Sequence, residues 1–176
     1  MQQDYFSHFG MAPSYDLDLK LLGKAYRSLQ QQSHPDRHVQ ADSTTRLKSV
    51  TQTAFNTEAY HTLRSAVQRG VYLLQLNDVD FSLDNYTVSD MDLLIQQLKY
   101  REQLSVIKEN NDEPLLVSLS LEAKQHITEI CNELSTLFDE LTPDNISIIQ
   151  NKLCELQFFD KLQVECDDVE EQLILD

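Results

Sequence analysis

His34, Asp36 and His38 alternate along a stretch, QQSHPDRH (31–38), that carries no hydrophobic side chain. An H-x-D-x-H cluster in a loop can converge on a metal ion, and a histidine beside a carboxylate can move protons. Either chemistry needs more than these three residues supply. A metal site normally draws further ligands from elsewhere, yet His8, His61 and His126 are scattered without a pairing motif. Catalysis would need a pocket and a partner for His34, and the chain has no GxSxG, no phosphate-cradling glycine loop and no matching cysteine–histidine spacing. With three glycines in all, a nucleotide site built on glycine turns is hard to supply. We therefore expect no enzyme activity, no catalytic residue, no metal and no cofactor. Docking fits these residue types better. Pro35 stiffens the turn, Asp36 can accept charge-assisted hydrogen bonds from an arginine, and His34 can donate or accept.

Helices must position this loop. Few glycines and only four prolines leave little material for the tight turns of a β-rich chain, so an all-α fold is expected. Residues 16–32 read as a helix capped by Asp16 or Asp18, with Leu22, Tyr26 and Leu29 at helical spacing. Lys20, Lys24 and Arg27 follow the same spacing and form a basic stripe, either solvated or used in docking. Pro35 ends this helix. A second helix is predicted over 43–64, with Leu47, Val50, Ala54, Tyr60 and Leu63 on its apolar side, and 67–76 continues as a short helix. Two antiparallel helices joined by the polar loop result.

Residues 77–87, NDVDFSLDNYT, read as a linker between a first domain (1–76) and a second (88–176). Three helices are expected beyond it, over 89–109, 115–141 and 143 onward. Asn110-Asn111-Asp112 and Pro114 stop the first, and Thr142 with Pro143 opens the third. Short connections make these an antiparallel three-helix bundle, with an extended coiled coil as the alternative because the apolar period stays at about 3.5. Charge divides the same way: residues 1–76 hold eight Lys+Arg and six Asp+Glu, whereas residues 77–176 hold six and 23. The acidic half should repel nucleic-acid phosphates. No apolar run is long enough for a bilayer, and MQQDYFSHFG lacks the look of a signal or transit peptide, so a cytoplasmic protein is expected. Cys131, Cys154 and Cys166 form no zinc spacing and read as reduced thiols.

The 89–109 helix has two greasy faces. At about 100° per residue, Leu93, Tyr100, Leu104 and Ile107 share one face. Met91, Leu94, Ile95 and Leu98 gather on nearly the opposite one, in line with Glu102. A helix at the edge of a bundle needs one apolar stripe. The second either receives a partner or packs on the first domain. Phe158 lies off both stripes of the last helix and adds to the surplus.

The motifs DYFSHFG (4–10), KAYRSL (24–29), His34-Pro35-Asp36, EAYHTL (58–63) and YLL (72–74) resemble a J-domain in order and spacing. Followed by an acidic three-helix unit with LLIQQLKYREQL (93–104) and FFDKL (158–162), the whole resembles the HscB-type co-chaperone of iron–sulfur cluster assembly, in its bacterial form. The chain departs from the general J-domain pattern at three places. Ser33 stands where an aromatic usually precedes the tripeptide, Gln32 replaces a frequent lysine, and Asn56-Thr57 replaces an Ile-Asn pair. Lys99 and Val106 fall where the family often has acids. The resemblance implies that the chain stimulates an HscA-type ATPase chaperone through His34, Pro35, Asp36, Lys20, Lys24 and Arg27. It implies delivery of an IscU-type cluster scaffold bound at Met91, Leu94, Ile95, Leu98, Glu102 and Phe158, with no nucleic acid and no membrane involved. The alternative is a helical scaffold-binding adaptor whose J-domain is degenerate and does not stimulate.

Overall fold

Asp18 sets the first long helix: its carboxylate accepts the backbone N–H of Lys20 at 2.8 Å and of Leu21 at 3.0 Å. Satisfying these orphan donors starts helix α2 at Leu19 and carries it to Ser33, two residues before Pro35. Asp18, and not Asp16, is thus the cap. A computed structural model of the chain describes residues 4–33, 43–85 and 91–175. Before α2 lies a single-turn helix α1, Tyr5–His8, capped by Asp4, whose side chain accepts the Ser7 N–H at 2.9 Å. Helix α3 spans Ser43–Arg64, and α4 spans Ala66–Leu76 with Ser65 as its cap. No strand occurs among the described residues.

The contacts of α2 with α3 pair residue 33 with 49, 30 with 57 and 26 with 60, so the two helices run antiparallel. Tyr26 and Tyr60 stack at 4.1 Å. The inner side of α3 differs from its expected apolar stripe. Leu47 is 68% and Val50 53% exposed, and the buried side chains are Ser49, Asn56, Ala59 and Leu63. Two of these four are polar because α2 meets them with polar partners. Tyr5 closes α1 onto the unit: its N–H donates to the Tyr72 hydroxyl at 2.9 Å, its ring stacks on Tyr72 at 4.5 Å, and its own hydroxyl donates to Glu58. Arg69, buried, donates from Nη1 to the Leu63 carbonyl at 2.7 Å and lies over the Tyr15 ring.

The chain divides into two compact units, Met1–Val79 and Asp80–Asp176. In the second, α5 runs Met91–Asn110, α6 Glu113–Phe138 and α7 Pro143–Leu175. Asn111 turns the chain with φ +52°, a value asparagine tolerates better than most residues. Asp112 then caps α6, and Pro114 sits in its first turn, where a missing N–H costs nothing. This is why α6 begins before residue 115; it also ends before Leu141. Thr142 accepts the Asn145 N–H at 3.2 Å and opens α7 with Pro143 as its first residue. Ser120 with Gln163, and Glu133 with Lys152, set α6 antiparallel to α7. The core between them is Leu119, Leu134, Ile149, Leu153, Leu156 and Phe159. No helix among the described residues is long and apolar enough to cross a membrane.

Candidate functional site

Two surfaces, one on each unit, carry the residues singled out from the sequence. In the first unit Lys20, Lys24 and Arg27 are all exposed along α2. His34, Pro35, Asp36 and His38 lie outside the described residues. Ser33, which adjoins His34, is described in full and is buried.

Ser33 is the last residue of α2, and a terminal carbonyl has no intrahelical partner. Helix α3 supplies two. Ser49 Oγ and Thr53 Oγ1, the latter at 3.1 Å, both donate to the Ser33 carbonyl. The Ser33 hydroxyl donates to the Leu29 carbonyl at 2.9 Å and accepts from Asn56 Nδ2 at 3.1 Å. Asn56 Oδ1 accepts from Gln52 at 3.0 Å and lies 2.8 Å from His8 Nε2 on α1. Since Nδ2 is the donor to Ser33, Oδ1 is the acceptor here, and His8 Nε2 must carry hydrogen. The sequence departures at Ser33 and Asn56 are therefore one feature. Each provides the other's hydrogen-bond partner.

In the second unit α5 buries Leu93, Tyr100, Leu104 and Ile107. The opposite side leaves Met91, Leu94, Ile95 and Leu98 exposed, Leu98 by 67%, with Glu102 exposed in line. Phe158 sits differently from these. Its ring is 8% exposed, 6.2 Å from the Tyr100 ring and 5.2 Å from that of Phe159. It braces α5 from α7 and presents little surface of its own. A cleft of about 630 Å³ between α5 and α7 continues the exposed side, lined by Ile95, Lys99, Ile148, Asn151, Lys152 and Glu155. Ile148 is absent from the residues that the sequence pattern marks. Its signal was a position off the inward stripe of α7, which holds Ile149 and Leu153. Lys152 is fixed by Glu133 at 2.9 Å and Glu155 at 3.1 Å.

Beneath the exposed side, Tyr100 Oη donates to Glu122 at 2.7 Å and lies 3.2 Å from His126 Nε2, whose ring stacks on Phe159. Burial, and next the bond to Glu122, push the Tyr100 phenol up to about 12. Burial pushes the thiols of Cys154 and Cys166 up to about 11. Thiols held in the neutral form are poor nucleophiles and metal ligands. Among the described residues no group of three or more potential ligands could hold a metal ion.

Residues 89–167 match the family described as the HSCB C-terminal oligomerisation domain. A co-chaperone protein HscB homolog of Shewanella halifaxensis is 35% identical over 172 residues, covering 97% of this chain and 98% of that relative. Its counterpart from Shewanella pealeana is 35% identical over 173 residues, 97% of this chain and 99% of the relative. Among solved structures, chaperone HscB from Vibrio cholerae superposes with a TM-score of 0.85 at 28% identity, covering 97% of this chain and 99% of that one. Human co-chaperone HscB gives 0.79 at 25% identity, covering 99% of this chain and 82% of that one. The expected all-α architecture, an N-terminal J-domain followed by a C-terminal helical domain, is the one these structures share.

Proposed function

The chain belongs to the HscB family of co-chaperones, and from that premise we propose that it couples an HscA-type ATPase chaperone to an IscU-type iron–sulfur scaffold through two separate surfaces. The observation that carries the proposal is the surplus apolar side of α5. Met91, Leu94, Ile95 and Leu98 stay exposed although the opposite stripe already seats the helix. A contiguous exposed apolar patch with a charged rim suits a protein partner better than solvent. Leu94, Ile95 and Leu98 would make the apolar contact, Glu102 the charged rim, and Phe158 would hold α5 in place.

On the first unit, Lys20, Lys24 and Arg27 would meet an acidic face of the ATPase. His34 and Asp36 would engage the ATP-bound form and favour its hydrolysis-competent state. That requires tighter binding to one state than to the other. The chain contributes no reacting group. It brings scaffold and ATPase together and speeds ATP hydrolysis by the latter, in support of cluster assembly and transfer.

Single-turnover ATP hydrolysis by an HscA-type chaperone, with and without the scaffold, tests this reading. The unaltered chain should accelerate hydrolysis and His34→Gln should not, while both retain scaffold binding. Equal acceleration by His34→Gln would show that stimulation does not run through His34, and no acceleration by the unaltered chain, with scaffold binding intact, would leave only the adaptor with a degenerate J-domain.

A further inference from the structure

The Ser33 carbonyl at the end of α2 is held by two side chains from another helix, and we propose that Ser33, Ser49, Thr53 and Asn56 are positioning residues that set the direction in which His34-Pro35-Asp36 leaves α2. The inference rests on the docking role proposed for that tripeptide.

Covalent geometry makes the link direct. A peptide is planar, so the Ser33 carbonyl shares its plane with the His34 nitrogen and Cα. Ser49 and Thr53 bond that carbonyl, Thr53 at 3.1 Å, and thereby restrain rotation of the plane about the end of α2. The Ser33 side chain is restrained as well, between the Leu29 carbonyl and Asn56 Nδ2. Asn56 is itself fixed on its other side by Gln52 and by His8 of α1. Three helices thus converge on one residue.

The burial of these groups gives the cluster its specificity. Ser33, Ser49 and Asn56 are all buried, Asn56 completely. Apolar packing is non-directional and tolerates small slides of one helix along another. Buried hydrogen bonds do not, because a displaced donor or acceptor loses its partner without gaining water. A polar cluster at this point fixes the end of α2 relative to α3 with less freedom than a methyl-lined contact would.

The experiment removes hydroxyls from α3 while conserving shape. In Ser49→Ala combined with Thr53→Val, the concentration of chain giving half-maximal ATPase stimulation should rise about tenfold, the loss expected for two hydrogen bonds. Circular dichroism should still report a folded helical chain. Thr53→Ser, which keeps the hydroxyl, should stay near the unaltered value. Should the double variant unfold, Thr53→Val alone is measured in the same way. A second measurement needs no partner: the amide resonances of His34, Asp36 and Arg37 in the free chain should move in Thr53→Val and much less in Thr53→Ser. Unmoved resonances, or an unchanged half-maximal concentration in a folded variant, overturn the inference. If the unaltered chain fails to stimulate any HscA-type ATPase, the docking role falls, and the resonances still decide whether the cluster positions the tripeptide.

Discussion

Tyr100 on α5 donates its hydroxyl hydrogen to Glu122 on α6 across 2.7 Å, so a phenol and a carboxylate pin the helix that bears the exposed apolar side. The bond has a pH signature. Burial first, and Glu122 second, raise the Tyr100 phenol from 10.0 to about 12. Between those values the unfolded chain sheds a proton that the folded chain retains. Stability from this group is complete below pH 10 and is lost as pH rises towards 12. Tyr5 shifts the same way, again through burial and then Glu58. Thermal melts across this range should show the midpoint falling, and Tyr100→Phe should remove part of the fall. At neutral pH the same variant should lose about 1 kcal/mol.

Leu94→Ala with Leu98→Ala should weaken scaffold binding at least about tenfold and change stability by no more than about 0.5 kcal/mol per site, because both side chains are exposed. Leu104→Ala, on the buried side of the same helix, should instead cost about 2–5 kcal/mol. Titration calorimetry paired with denaturant melts separates the two faces. Large destabilisation by the exposed pair would mean that the face is covered within the chain.

Phe158→Ala should destabilise the second unit by about 3–5 kcal/mol, the range for a buried phenylalanine. Phe158→Leu should lose less, and scaffold affinity should follow stability through the series. Affinity lost by Phe158→Leu with unchanged stability would show the ring in direct contact with the partner.

Lys24→Glu and Arg27→Glu should weaken ATPase stimulation mainly through slower association, and the defect should shrink as salt rises from 0.05 to 0.5 M, on the order of the range over which screening becomes strong. Both side chains are exposed on α2, so stability should stay within about 0.5 kcal/mol of the unaltered chain. A defect independent of salt would point to lost shape and not lost charge.

Helices were legible wherever a cap adjoined an apolar period. Thr142-Pro143 and Asp112 carry their own start signals, and backbone N–H groups answer both caps. Helix α1 is too short for a period and shows only in Asp4 three residues before Ser7. The inner side of α3 departs from its apolar pattern: Leu47 and Val50 outrank Ser49 and Asn56 on any scale of apolarity, yet the latter two are buried. What buries the latter two is a hydrogen-bond complement on α2, 16 and 23 residues away in sequence, and no local pattern reports it. On α5, spacing alone separates the two sides, since 100° per residue is a property of any helix. Its cleft with α7 is another matter. Ile148 joins Ile95 only once two helices are docked.

Because α5 is oily on two opposite sides, its amphipathic vector nearly vanishes. Hydrophobic burial alone then distinguishes poorly between the observed seating and one turned half a revolution about the helix axis. The symmetry is broken by what only one side possesses: a hydroxyl at Tyr100 that meets Glu122, and a ring set edge-on to Phe159 at 5.5 Å. A single hydrogen bond, modest as a source of stability, acts as a rotational key. It favours the seating in which Leu93 and Leu104 face inward and Leu94 and Leu98 are left outside.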